Sequence, residues 1–169
     1  GAWLSMLYFG IPVTILSPLA FLSRPARWLW AMHAHRATLA VAPNFAFDLC
    51  VNKITDEEIE GLDLSSLRVM LNGSEAVLPE TLTRFAGRFG AAGFDPHAMR
   101  PVYGLAECSV GLTFTPRRDP TRVDRVDRRF KETGRAMPST DRDALAFVSC
   151  GGALPGHEIR IVNQAGATV

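Results

Sequence analysis

Three short segments carry residue types that can do chemistry together: Ala42-Pro43-Asn44-Phe45, Asn72-Gly73-Ser74-Glu75 and Tyr103-Gly104-Leu105-Ala106-Glu107. Gly73 and Gly104 permit close approach of backbone to a flat ligand. Tyr103 offers a ring face for stacking and a polar tip. Glu75 or Glu107 can hold Mg²⁺, a hard cation that takes carboxylate oxygen together with shared phosphate ligands. The set suits a nucleotide crevice better than a proton-transfer pair of carboxylates. Taken singly, each segment reads as a turn or as a helix-start charge favoured by the dipole. The weight lies in their placement, because each follows an apolar run that reads as a strand.

Those runs are 38–42, 67–71 and 99–103. In an open parallel sheet, ligands gather beyond the carboxyl ends of the strands. If the three strands are parallel, the three segments open on one edge. The run 38–42 lacks alternation, which predicts a strand covered on both faces. Helices are predicted between the strands. Ser23 reads as an N-cap before Pro25, with Trp28, Leu29 and Met32 following at helical spacing. Residues 45–53 read as a helix and 55–60 as a short acidic one. Pro79 opens a helix to Phe89, with Leu82, Phe85, Ala86 and Phe89 on one face. Gly90 and Gly93 close it, and Asp95-Pro96 reads as a further N-cap. Further strands are expected at 13–16, between Pro12 and Pro18, and at 110–115, 145–149 and 157–162.

This alternation predicts an α/β fold: a largely parallel sheet with flanking helices, followed by a more β-rich tail. The expected organisation is an α/β subdomain with a nucleotide crevice at 1–115, a charged insertion or mobile loop at 116–142, and a β-rich segment at 143–169 that begins a further subdomain. The middle stretch holds nine basic residues against five acidic ones.

Composition narrows the classes. The chain has 169 residues, 47% of them hydrophobic and 21% charged, with a formal net charge of +1. Near-zero charge argues against nucleic acid as the main partner. Cys50, Cys108 and Cys150 are odd in number, widely spaced and without a C-x-x-C pair, so neither a zinc site nor a disulfide framework is expected. A reducing cytoplasm fits. His33 and His35 sit two apart, on different helix faces, and make poor joint metal ligands. Residues 1–23 carry no charge, but Gly10, Pro12 and Pro18 interrupt the run, so no transmembrane span is expected. Gly1 opens on an apolar run already under way and Val169 follows a turn signal, so both ends read as cut from something longer.

The ordered set of Asn72-Gly-Ser-Glu75 and, about thirty residues on, Tyr103-Gly-Leu-Ala-Glu107 resembles the adenylate-forming superfamily. The closer likeness is to fatty acyl-AMP ligases. Residues 17–28, Arg36-Ala-Thr38, residues 42–47 and 62–66, Phe147-Val-Ser-Cys-Gly151 and Leu154-Pro-Gly156 all look like that branch. The resemblance implies an enzyme that joins a fatty acid and ATP to give acyl-AMP and pyrophosphate, then passes the acyl group to an acyl carrier protein or CoA. It implies that Tyr103 stacks on adenine, that Gly73, Ser74 and Glu75 line its other side, and that Glu107 is the catalytic carboxylate and binds Mg²⁺. It implies that Gly104, Leu105 and Ala106 run past the α-phosphate and the acyl carbonyl. Asn44 and Phe45 are implied near the adenylate and the mouth of the acyl tunnel. The stretch 116–142 falls where that branch carries an insertion thought to disfavour CoA. Ala106 replaces the Thr common in CoA synthetases, in keeping with the acyl-AMP branch. The phosphate loop with its Lys, the ribose-binding Asp motif and the mobile domain with its catalytic Lys have no counterpart in the 169 residues, so the chain by itself is not expected to adenylate.

Three rival readings stand beside it: a fatty acyl-CoA ligase fragment, which keeps the enzyme class and changes the acceptor, a non-catalytic module docking an acidic carrier protein through its arginines, and a piece anchored in a membrane by residues 1–23.

Overall fold

The computed structural model describes residues 2–116 and 119–168, without the side chains of Ala2 and Trp3. Gly1, Val169, Arg117 and Arg118, the last two belonging to the charged stretch, lie outside the described residues.

The helices are α1 (Ala2–Tyr8), α2 (Pro18–Ser23), α3 (Ala26–Ala34), α4 (Asn44–Lys53), α5 (Pro79–Phe89) and α6 (Phe130–Thr133). The strands are β1 (Leu39–Ala42), β2 (Val69–Asn72), β3 (Met99–Tyr103), β4 (Thr113–Phe114), β5 (Val123–Val126), β6 (Leu145–Val148) and β7 (Gly152–Ala153). The main sheet has the order β1-β2-β3-β4-β7. Its first three strands are parallel, with Ala42 opposite Asn72 and Asn72 opposite Pro101. β4 turns back antiparallel to β3, and β7 pairs antiparallel with β4. β5 and β6 form a separate antiparallel pair.

One sheet face carries the core. Ala40, Met70 and Met99 lie in register across β1, β2 and β3 and are buried against α3, α4 and α5. At its centre Phe85 meets Phe47 and Phe94 edge-on, both with ring centroids 5.1 Å apart, and Phe89 at 4.6 Å. Offset and edge-on aromatic packing of this kind is the favoured geometry. α5 forms as its residues dictate: Pro79 fits the first turn, where no N–H is needed, and Phe85 and Phe89 lie one turn apart on the buried face.

Several expectations fail for identifiable reasons. β1 is covered on one face only: Ala40 is buried, while Leu39 and Val41 are 45% and 54% exposed. Residues 13–16 form no regular element and pair with no strand, and Ile15 is largely exposed. Pro12 and Pro18 bracket four residues that have no ladder partner, and an isolated strand gains nothing from β propensity. The alternating run 157–162 fails similarly. It is exposed and makes one isolated bridge, Val162 to Thr168. Ser23 ends α2 instead of capping α3; its hydroxyl donates to the Ala20 carbonyl at 3.1 Å and accepts from Arg27 Nη1 at 3.3 Å. The uncharged opening run makes two short helices with exposed apolar side chains. No helix among the described residues is long and apolar enough to cross a membrane. Residues 116–142 contain β5 and α6.

Candidate nucleotide and acyl site

Because β1, β2 and β3 run parallel, their carboxyl ends lie on one edge, and each of the three marked segments starts there. The first two are joined directly. The backbone N–H of Phe45 donates to Glu75 Oε1 at 2.5 Å, tying the first turn of α4 to the loop after β2. Glu75 is exposed, as is Ser74, which holds a left-handed φ of 69°. Gly73 is buried, and a Cβ there would lie 2.8 Å from the Val102 carbonyl oxygen and 2.9 Å from Val102 Cγ2. Only a glycine lets this loop lie flat against β3.

The third segment folds back on itself. The N–H groups of Cys108 and Val110 both reach the Leu105 carbonyl, at 3.0 and 3.1 Å, and Leu112 N–H reaches the Tyr103 carbonyl at 3.1 Å. Closure presses the Val110 carbonyl onto Gly104, where any Cβ would overlap it. Closure also drives Ser109 and Val110 to φ of 53° and 84°. A left-handed β-branched residue is strained, and such strain collects at functional loops. The fold-back leaves Ala106 and Glu107 exposed on a 3₁₀ turn, with Leu105 half-buried behind them. Tyr103, the last residue of β3, is 53% exposed. Its ring is accessible, as stacking requires.

Asn44 and Phe45 part company. Phe45 is 51% exposed and, with Ile15, Leu16, Phe21, Trp28 and Val41, lines an apolar hollow of about 420 Å³. Asn44 is 4% exposed and engages its neighbours inside. Its Oδ1 accepts from Leu78 N–H at 3.1 Å and from Asn72 Nδ2 at 3.3 Å, and its Nδ2 donates to Thr81 Oγ1 at 3.1 Å. Sequence reading marked Asn72 as part of a site segment and missed Thr81 and Asp48. The available signal was the spacing of Asn44 and Asp48, one helical turn apart.

Two of the three cysteines are held back by burial. Burial pushes the Cys50 thiol up to about 12, which leaves it protonated and inert at neutral pH. Burial also raises Cys150. His33 Nδ1 accepts from Asp63 N–H at 2.9 Å. Among the described residues no group of three His, Cys, Asp or Glu side chains offers an all-protein metal cage. A single exposed carboxylate such as Glu107 fits a cation that takes its other ligands from phosphate and water.

A family model described as AMP-binding enzyme matches residues 1–169. The chain belongs to the AMP-binding enzyme family. Within it, the chain is 41% identical over 142 residues to the putative fatty-acid–CoA ligase fadD25 of Mycobacterium tuberculosis (strain ATCC 25618 / H37Rv), covering 84% of the chain and 24% of that protein. It is 34% identical over 166 residues to the medium-chain-fatty-acid–[acyl-carrier-protein] ligase TtuA of Teredinibacter turnerae, covering 98% and 26%. The fatty acyl-adenylate ligase from L. pneumophila, solved with acyl adenylate and pyrophosphate, superposes with a TM-score of 0.89 at 34% identity. That match covers 95% of the chain and 28% of the solved one. The chain therefore spans about a quarter of the length of these AMP-binding relatives.

Proposed function

We propose that the polypeptide carrying this chain is an ATP-dependent, AMP-forming fatty acid ligase, and that the chain supplies one wall of its nucleotide site. The carrying observation is the shared edge: three parallel strand ends place Phe45, Glu75 and the Tyr103–Glu107 loop together, beside an apolar hollow. In this reading a carboxylate oxygen of the fatty acid attacks the α-phosphorus of ATP. A new oxygen–phosphorus bond forms, the bond to pyrophosphate breaks, and the acyl-AMP formed passes its acyl group to an acyl carrier protein or CoA.

Little covalent chemistry falls to the protein in such a transfer, so its residues position groups and offset charge. Tyr103 stacks on the adenine ring. Gly73, Ser74 and Glu75 form the opposite wall, where the flat loop at Gly73 leaves room for the base. Gly104, Leu105 and Ala106 pass the α-phosphate and acyl carbonyl, with no side chain at Gly104 to obstruct the fold-back. Glu107 would hold Mg²⁺, which when bound neutralises phosphate charge. Phe45 and the hollow take the hydrocarbon end, as apolar pockets take apolar ligands. The three cysteines are unpaired thiols, which suits a reducing compartment, and we assign the cytoplasm.

The test is fatty-acid-dependent exchange of pyrophosphate into ATP by the full-length polypeptide, with product analysis in the presence of CoA and of a carrier protein. Acyl-AMP formation supports the reading, and absence of exchange with fatty acids of every length overturns it. The 169 residues alone are expected to show no exchange; exchange by the isolated chain would refute that part.

A further inference from the structure

Asn44 stands at the nucleotide edge, yet its side chain is spent on the protein interior. An asparagine side chain has two N–H donors and two acceptor lone pairs. Here Oδ1 takes the Leu78 N–H at 3.1 Å and Asn72 Nδ2 at 3.3 Å. Nδ2 donates to Thr81 Oγ1 at 3.1 Å and to Asp48 Oδ2 at 3.5 Å. The orientation of the amide is forced, because a backbone N–H can only donate and the atom facing Leu78 must accept. Thr81 Oγ1 in turn donates to Asp48 Oδ2 at 2.9 Å, and Asp48 Oδ1 accepts from Arg84 Nη1 at 3.4 Å.

The partners of Asn44 Oδ1 are not scattered. Asn72 is the last residue before the loop 73–77 and Leu78 is the first residue after it. One side-chain oxygen therefore holds both ends of that loop. The middle of the loop is held by the next residue in sequence, since Phe45 N–H meets Glu75 Oε1. Two consecutive residues of α4 grip three points of a seven-residue span, 72–78, that begins on a fully buried strand end. The loop between these points holds Ser74 at a left-handed φ, a conformation that needs outside support.

We propose that Asn44 is a positioning residue that sets the height and angle of the 73–77 loop against bound nucleotide, with Thr81 and Asp48 fixing Asn44 in turn. This rests on the ligase reading above and replaces, for Asn44, a direct contact with the acyl substrate. Removing the amide leaves the Leu78 N–H and the Thr81–Asp48 pair without their shared partner in a partly buried place. The loop then shifts relative to Tyr103, while the apolar hollow beside Phe45 keeps its walls.

The test uses the full-length ligase, with Asn44→Ala, Thr81→Val and Thr81→Ser measured in pyrophosphate exchange at varied ATP and varied fatty acid. Asn44→Ala is expected to raise KM for ATP by about tenfold or more, because small displacements of a positioning element are costly. KM for fatty acid stays within about twofold, the mark of a loss confined to one substrate. Thr81→Val, buried and with no exposed atom near the edge, moves KM for ATP the same way, and Thr81→Ser restores it. Thermal unfolding of each variant shows whether it folds, and Thr81→Val carries the test if Asn44→Ala does not. A rise in KM for fatty acid with ATP unaffected makes Asn44 an acyl contact and overturns the proposal. Unchanged constants, or failure of Thr81→Ser to restore them, also overturn it. Wild-type enzyme inactive with every fatty acid sinks the ligase reading itself, and this inference with it.

Discussion

The two halves of the chain are held together differently. From β1 to β3, structure rests on burial: Phe47, Phe85 and Phe89 are fully enclosed, and the strands pair with neighbours distant in sequence. From residue 119 onward, most side chains are exposed, the strands form only a two-stranded pair and the two-residue β7, and several ion pairs are local. Arg122 pairs with Asp124, Arg129 with Asp127 and Arg160 with Glu158, each two residues apart. Exposed pairs of this kind contribute little to stability. A stronger tie comes from Arg100, an almost fully buried β3 residue whose Nη1 donates to the Asp119 carbonyl at 2.6 Å, pinning the start of the second half onto the sheet. The difference teaches where a rigid edge can be built. The candidate site stands on the buried half, and its loops start from strands held by pairing and by the core.

The sharpest way to break this contrast is a pair of aromatic truncations. Phe85→Ala empties the centre of a cluster of rings and is expected to cost about 3–5 kcal/mol. Phe147→Ala removes a ring that is nearly half exposed and meets the Phe130 ring edge-on at 5.9 Å, and should cost below about 1 kcal/mol. Chemical denaturation of the two variants measures both. Equal losses would mean that the second half carries a core of its own.

Glycines sharpen the same contrast within the buried half. Gly104→Ala forces a Cβ into the Val110 carbonyl, so the loop must open, at an expected cost of about 1–3 kcal/mol. Gly87, inside α5, has nothing within 4 Å of an added Cβ, and Gly87→Ala should stabilise by about 0.5–1 kcal/mol through helix propensity. Thermal melts reading the same sign for both would show that the site loop is looser than its hydrogen bonds imply.

These loops were legible in the sequence for the same reason they are rigid. Gly73 and Gly104 follow apolar runs, and a glycine ending a strand marks a tight passage whether or not a ligand uses it. Helix α5 was legible because its proline, its aromatic spacing and its closing glycines agree with one another. What was not legible depends on partners remote in sequence. Residues 13–16 and 157–162 have strand composition, but nothing in their own order says whether another strand lies alongside. β7, two residues at Gly152–Ala153, carries no pattern at all, and is placed by the Leu154 N–H reaching the Leu112 carbonyl at 3.0 Å. Asn44 follows β1 at the strand edge, but its inward engagement depends on Leu78 and Thr81, more than thirty positions away. A polar residue beside a glycine-rich loop looks the same from the sequence whether it faces ligand or interior.

Cys50 gives the buried half a pH signature. Burial raises its thiol from the ordinary 9.0 to about 12 in the folded chain. The unfolded chain ionises first, so the stability due to the protonated buried thiol is intact below about 9 and drains away as pH rises toward 12. Unfolding free energy measured between these limits should fall with pH, and Cys50→Ala should flatten that slope while leaving a smaller core. A native thiol at Cys50 that reacts promptly with an alkylating probe at pH 8 would show that the half opens far more readily than its burial suggests.

The smallest expected effect lies among the arginines of the second half, and it bears on whether that half is a docking surface. Arg125 and Arg129 look equivalent in sequence, yet they are tied differently. Arg129 is paired with Asp127 and raised further above its ordinary value by that carboxylate, a contact confined to one turn. Arg125 Nη2 donates to the Asp141 carbonyl at 2.6 Å, joining β5 to the chain sixteen residues on. Arg129→Ala should therefore leave the melting temperature within about 1 °C, as exposed local pairs do. Arg125→Ala should lower it measurably, because a long loop loses a tie at one end. Both arginines are already engaged with groups of their own chain, so a carrier protein that binds through charge must displace Asp127 to reach Arg129. If salt-sensitive binding of an acidic carrier depended equally on both residues, the local pairs would be weaker than the carrier's attraction, and the second half would be an interaction surface in its own right. If carrier binding survives Arg129→Ala at every ionic strength, these arginines serve the folding of the segment that bears them.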